Sequence, residues 1–281
     1  MGTDIKREAV IWGAGKIGRG FLAEIFQYAN YNITFVEYDR QLVNSLKDVD
    51  NYTIHKVISA DNQSTISIED FDIVTTDDTE SIKGKLIKEG AIAAIAVHQK
   101  ALDSIAKTIS QIIIEKAKGD PTSKLDIIMC VNMHRPSIYF KGLLQDELPC
   151  EFHNYLTTNV GLIDSVVMRI CPEPTPELLA VDPFAVLTNG YDQMPVDGKS
   201  FRGNIPNTAM LKLSQDIVAE EVRKIYTLNM SHAILAYVGN HKGYKYAYEA
   251  IGDAYIRQVV AGALCEVGRA LSFEYGFSKE E

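Results

Sequence analysis

Residues 9–21 read AVIWGAGKIGRGF, and the fold turns on how this stretch is understood. Ala9 to Trp12 are apolar at consecutive positions, as suits a strand buried on both faces. Gly13, Gly15 and Gly18 follow at once in the spacing G-x-G-x-x-G. Each glycine has a separate physical purpose. Gly13 permits a tight turn, Gly15 lets a pyrophosphate approach the backbone, and Gly18 lets the next helix pack against the strand. The N-terminus of that helix then offers free N–H groups to the phosphates. A strand, a glycine turn and a helix in this order predict a dinucleotide site, with Lys16 and Ile17 inside the loop.

Strand-like runs recur beyond it: ITFVE (33–37), FDIVT (71–75), AIAAIAV (91–97) and DIIMC (126–130). Helix-like segments lie between them at 18–28, 40–47 and 99–117. The alternation predicts an α/β chain with a doubly wound, parallel sheet. Glu37 closes the second run, 22 residues after Gly15. That is close to the ~20 expected of the acid that binds the adenosine ribose. A carboxylate there favours NAD over NADP. Asp39 is the second candidate for this task, and Arg40 could instead pair with the extra phosphate of NADP. Ala96 and Val97, ending the fourth run, complete the expected cofactor-binding set.

Residues 52–70, YTIHKVISADNQSTISIED, alternate around a polar DNQ turn and read as an inserted hairpin. CPEPTPE (171–177) reads as a surface connection. From about 208 the pattern reads as helical to the end, with Gly239 and NHKG (240–243) as the break. The expected division is a nucleotide-binding domain over 1–200 and a helical domain over 201–281. Within the latter, Val218, Val222 and Ile225 form an apolar stripe. Asn229, His232 and Ala236 continue it, and Lys224 lies at its rim. Two polar groups on a buried face would each cost roughly 1–3 kcal/mol if unpaired, so a ligand is one candidate to meet them.

The 281 residues carry a net charge of -9, which disfavours nucleic acid or an anionic membrane surface as a partner. No apolar run reaches the length of a membrane span, and the start MGTDIKREAVIWGAGK lacks a signal-peptide core. The four cysteines, Cys130, Cys150, Cys171 and Cys265, form no CxxC pair. No metal site is expected, and a reducing cytoplasm fits best. The expected partner is a small molecule, bound by a monomer or weak dimer.

The chain resembles the polyol-specific long-chain dehydrogenases. The matching stretches are GAGKIGRGF (13–21), CVNMHRP (130–136), NVGLIDSVVMRICP (159–172) and KIYTLNMSHAILAYVG (224–239). The last contains K-x4-N-x2-H, the most specific signature of that group. The resemblance implies a Rossmann-type domain followed by a mostly helical domain, here shortened, since such enzymes continue with more helices. It implies metal-independent hydride transfer between a sugar alcohol, or its phosphate, and a ketose. Lys224 would be the general base, Asn229 and His232 would hold the reacting oxygen and substrate, and Asn132 would join them. Arg135, Lys199 and Arg202 are candidates for a substrate phosphate. Alternatives are an unphosphorylated polyol, a keto-uronate, or a non-catalytic nucleotide-binding relative. One departure is His98-Gln99, where mannitol-phosphate enzymes tend to carry a small Gly-Pro pair. Asp164 and Arg169 read as an internal ion pair.

Overall fold

The structure, a computed structural model, describes residues 6–59 and 61–278. The first five residues, part of the start from which the missing signal-peptide core was read, lie outside the described residues, as do the last three of FSKEE. The chain forms two compact units, Met1–Gln215 and Asp216–Glu281.

The first unit opens with β1 (Arg7–Trp12), a π turn (Gly18–Leu22), α1 (Ala23–Tyr28), β2 (Tyr31–Glu37) and α2 (Arg40–Lys47). It continues with β3 (Asn51–Ser59), β4 (Asn62–Glu69), β5 (Phe71–Thr75), α3 (Thr79–Leu86), β6 (Ile92–Ile95) and α4 (Leu102–Gly119). Then come β7 (Leu125–Met129), α5 (Pro136–Glu147), α6 (His153–Asn159) and β8 (Val160–Asp164). The unit ends with α7 (Pro176–Val181), β9 (Val186–Thr188), β10 (Met194–Asp197) and β11 (Leu211–Ser214).

Six strands form one sheet in the order β5-β2-β1-β6-β7-β8. Every pairing in it is parallel. Numbered by its own strands alone, that order is 3-2-1-4-5-6, the Rossmann arrangement. The consecutive apolar run of β1 now has its reason. Ala9 and Ile11 join a core with Phe21, Ile25, Tyr52 and Ile68, whereas Val10 and Trp12 join a second core with Ile82, Ile109 and Phe140. Both faces are covered, so alternation between polar and apolar would fail here.

The expected hairpin is present as the antiparallel pair β3–β4, to which β9 adds in parallel. The outer edge of this small sheet is partly closed by Gln27 of α1. Its amide donates to Ser67 O at 2.8 Å and accepts from Glu69 N at 3.0 Å. Two elements escape a reading by pattern. In α3 only Ile82 and Leu86 are buried, too few for a periodic signal. In β8 the glycine at 161 breaks the apolar run, and it is needed there: a Cβ would lie 2.1 Å from Asp126 Oδ1.

Residues 201–215 were expected in the second domain and belong to the first unit. Met194–Asp197 pairs in parallel with Leu211–Ser214, so that sheet ties both strands to the same body. The helical pattern expected from 208 therefore starts later, at Ile217.

Arg169 does not pair with Asp164. Its Nη1 donates to Glu24 Oε2 at 2.5 Å and to Gly20 O at 2.8 Å, and its guanidinium lies 4.2 Å from the Phe21 ring centre. Lys56 also pairs with Glu24, whose side chain is 1% exposed. Removing one member of a buried ion cluster strands the remaining charge. Glu24→Ala is expected to cost about 3–5 kcal/mol. Thermal denaturation should show this as a Tm drop of roughly 6–20 °C, at about 2–4 °C per kcal/mol for a domain of this size.

The second unit holds α8 (Ile217–Lys224), a π turn (Ile225–Asn229), α9 (Met230–His241), α10 (Ala247–Ala250) and α11 (Ala254–Tyr275). Ala250, Ile256 and Val260 form its small core, against Ile234, Leu235, Val238 and Tyr244. Gly239 is not the break that the sequence suggested. It is buried inside α9, where a Cβ would come within 2.8 Å of Ala250 Cβ. The chain turns at Gly243, whose φ of +87° suits glycine.

Asp253 caps α11 through the N–H groups of Tyr255 and Ile256, and Lys242 Nζ lies 2.6 Å from its other oxygen. The Lys242 hydrogen bond, with the capped N–H groups, holds the Asp253 carboxyl down at about 2. A depressed carboxyl contributes stability that is complete above its unfolded value and is lost as pH falls toward the folded one. The helical unit should therefore weaken between about pH 4 and pH 2. Asp253→Asn should flatten that part of the curve in circular dichroism against pH.

Candidate active site

All six parallel strands end at one edge of the sheet, and the glycine loop leaves β1 there. Gly13 has φ +97°, and a Cβ on it would lie 2.5 Å from Ala96 O. Its N–H bonds Val36 O at 2.8 Å, while Ala96 N–H bonds Trp12 O at 2.9 Å. The loop is thus wedged between the ends of β2 and β6, and Ala96 and Val97 abut it. A Cβ on Gly18 would meet Gly13 O at 1.9 Å, so the helix returns tightly onto the loop. Gly15 is the opposite case: nothing lies within 4 Å of a Cβ built there, and the residue is exposed. This open backbone, followed by a π turn and α1, fits a dinucleotide pyrophosphate.

Glu37 is 5% exposed. Its Oε2 accepts from Ala14 N–H at 2.8 Å, and its Oε1 from Tyr38 and Asp39 N–H at 2.9 and 3.1 Å. The acid therefore braces the glycine loop, and a lone pair remains on Oε2 for a ribose hydroxyl. Asp39 is occupied as the cap of α2, accepting from Gln41 N–H at 2.8 Å. Lys16 is paired with Glu173. Arg19 turns away from the loop's mouth. Its Nε donates to Ala14 O at 2.7 Å and its Nη1 to Phe184 O at 2.9 Å, and burial lowers its pKa.

The loop after β7 reaches the same edge. Asn132, His134 and Arg135 are exposed on it, and His98 follows β6. Arg135 stands at φ 47°, ψ 58°, a left-handed conformation directly before Pro136, the first residue of α5. Such strain persists only where the surroundings impose it. Here Asp164, at the end of β8, accepts from Ser137 N–H at 2.8 Å and from Ser137 Oγ at 2.6 Å. At the other end of the loop, Cys130 N–H bonds Ile95 O at 2.8 Å. The Asp164–Ser137 anchor spans 27 residues and has no local signal in the sequence beyond a proline where a helix starts.

Lys199 and Arg202 do not belong to this edge. Arg202 N–H bonds Asp126 Oδ1 at 2.8 Å, at the start of β7 and so at the opposite end of the sheet. Gly203 N–H bonds the other oxygen of Asp126 at 2.8 Å, and burial raises that carboxyl's pKa. The Arg202 guanidinium folds onto carbonyls 199–201, and Lys199 Nζ donates to Gln215 O at 2.8 Å. The polar backbone of this loop is satisfied beneath the sheet, which takes both cations away from the nucleotide edge.

The second unit holds the Lys-Asn-His motif. The stripe expected to be buried is not: Ile225 is 47% exposed, and Asn229, His232 and Ala236 are exposed. The π turn is the cause, because it interrupts the 3.6-residue repeat on which the stripe was drawn. In an α-helix, residues five apart diverge by about 140°. A π turn bonds i to i+5, as Met230 N–H does to Ile225 O. Lys224 and Asn229, five apart and flanking this turn, are thereby brought toward one face. His232 follows one α-turn later, its Nδ1 2.9 Å from Leu228 O.

These features agree with family matches along the chain. Residues 7–209 match the mannitol dehydrogenase Rossmann domain, and residues 216–277 match the mannitol dehydrogenase C-terminal domain. The chain belongs to the mannitol dehydrogenase family. A relative, mannitol-1-phosphate 5-dehydrogenase of Buchnera aphidicola subsp. Acyrthosiphon pisum (strain Tuc7), is 31% identical over 98% of this chain and 69% of its own length. Among solved structures, D-sorbitol dehydrogenase in substrate-free form superposes with a TM-score of 0.79 at 18% identity, over 92% of this chain and 64% of its own. Pseudomonas fluorescens mannitol 2-dehydrogenase, in a ternary complex with NAD and D-mannitol, gives 0.75 at 19%, over 90% of this chain and 63% of its own. The mannitol dehydrogenase chain described here therefore spans about two thirds of the length of these relatives. Among the described residues, no helix is long and apolar enough to cross a membrane.

The two loop glycines separate folding from ligand access. Gly13→Ala should lower Tm, since it meets Ala96 O and an unfavourable φ. Gly15→Ala should leave Tm nearly unchanged, since its Cβ enters open space, yet weaken nucleotide binding. Parallel thermal denaturation and dye- or nucleotide-binding titrations on the two variants check this.

Proposed function

We propose that this chain is an NAD-dependent dehydrogenase that interconverts a sugar-alcohol phosphate and a ketose phosphate, with mannitol 1-phosphate and fructose 6-phosphate as the pair. The observation that carries the catalytic reading is the π turn at Ile225–Asn229, which brings Lys224 and Asn229 toward one face with His232 one turn on. A helix built only for packing has no use for such a turn between three polar groups. The open glycine loop and Glu37 support NAD as the cofactor. The 31% identity to mannitol-1-phosphate 5-dehydrogenase supports the phosphorylated hexitol. The absence of CxxC spacing among the four cysteines supports a reducing, cytoplasmic setting.

In the oxidation direction Lys224, in its neutral form, takes the proton of the alcohol. NAD supplies the hydride acceptor. Asn229 and Asn132 donate to the oxygen as its charge develops, and preorganised donors of this kind are worth roughly 3–4 kcal/mol each in favourable cases. His232 holds a neighbouring hydroxyl. Arg135, exposed on the strained loop after β7, meets the substrate phosphate.

Lys224→Ala should still bind NADH and lose at least ~10²-fold in turnover, with partial rescue by small amines. Nicotinamide absorbance with fructose 6-phosphate, fructose and the keto-uronates measures it. Near-full turnover by Lys224→Ala would remove the lysine from the mechanism. Equal rates with fructose and fructose 6-phosphate would remove the phosphate from the substrate.

A further inference from the structure

The strands β2 and β5 lie side by side, with Glu37 opposite Thr75, and Thr76 N–H bonds Glu37 O at 3.1 Å. The segments that follow them therefore form one rim beside the place where a dinucleotide's adenosine ribose comes to rest. On this rim Arg40 Nη2 donates to Asp77 Oδ2 at 2.8 Å. Both side chains face solvent, at 73% and 62% exposure. The Thr75 hydroxyl and Arg40 hold the Asp77 carboxyl below its ordinary range. Glu37 and Asp39 add two more negative charges beside the pair, each already tied to backbone N–H groups.

A guanidinium is the usual partner of a phosphate because its planar fork matches two oxygens at once. An arginine three residues beyond the ribose-binding acid is placed to accept the 2′-phosphate of NADP. Its charge here is neutralised by a residue from the next strand. We infer that Asp77 selects NAD over NADP by holding Arg40, and that the arginine is a latent 2′-phosphate site. The inference rests on the NAD-binding reading above. With Asp77 in place, a 2′-phosphate meets Glu37, Asp39 and Asp77 against one shared cation. Without it, the same phosphate meets a guanidinium with all five donors to offer. The pair is exposed and open to salt screening, so it yields to competition without a change of fold.

The test is direct binding, read by fluorescence, of NADH, NADPH and the fragment 2′,5′-ADP to the unmodified chain, Asp77→Asn, and the double variant Asp77→Asn/Arg40→Ala. Asp77→Asn should tighten NADPH relative to NADH by on the order of tenfold, the worth of one charge-assisted hydrogen bond. The gain should extend to 2′,5′-ADP, shrink at high salt, and disappear in the double variant. An unchanged NADPH-to-NADH ratio in Asp77→Asn overturns the inference. So does a gain that survives the loss of Arg40, because the effect would then be the removal of a carboxylate alone. Failure of the unmodified, folded chain to bind either dinucleotide overturns the NAD-binding reading itself, and is told apart by that first titration.

Discussion

One buried carboxylate holds the nucleotide edge together. Glu37 accepts from Ala14 on one side and from Tyr38 and Asp39 on the other, so the glycine loop and the end of the neighbouring strand share a single anchor. Charge-assisted bonds to backbone N–H groups are about twice as strong as neutral ones, and here three converge on one group. The wedge of Gly13 against Ala96 closes the loop from the other flank. Between these two contacts the loop has little freedom, which is why Gly15 can remain open without the backbone collapsing into the gap. Substrate chemistry, cofactor choice and the rim beyond β2 all take their positions from this arrangement.

Where the sequence was read correctly, the forces were local. AVIW followed by three spaced glycines states both the burial of β1 and the turn after it. The limits of α2 could be placed because Asp39 is a side-chain cap with an apolar repeat behind it. The elements that were missed depend on contacts distant in the chain. Gly161 looks like a break in a strand until Asp126 is seen against it, and α3 buries two residues, too few to mark a period. β11 is a four-residue strand whose identity comes from β10, so reading it as the start of a helix moved the domain boundary.

The candidate site divides in the same way. The glycine loop, Glu37, Ala96, Val97 and Asn132 are at one edge because parallel strands must end together, a consequence of fold class alone. Lys199 and Arg202 were chosen for their charge, and charge carries no address. Their loop is drawn to Asp126 by its backbone N–H groups, which no count of cations reveals. Asp164 was assigned to the wrong partner for a related reason. A carboxylate near an arginine in sequence suggests a pair, whereas Glu24, 145 residues from Arg169, makes it. The apolar stripe failed because it assumed an unbroken α-helix through Ile225–Asn229.

That π turn also constrains how the chain can vary in length. A π turn is an α-helix carrying one residue more than its hydrogen bonds require. Deleting a single residue anywhere in Ile225–Asn229 would let the segment relax to ordinary α geometry. Everything after it would then rotate by about 100° relative to Lys224. Composition within the turn is free to drift, since none of its five side chains is buried. Among natural relatives, substitutions there should therefore be common and gaps rare, a pattern opposite to that of an exposed loop.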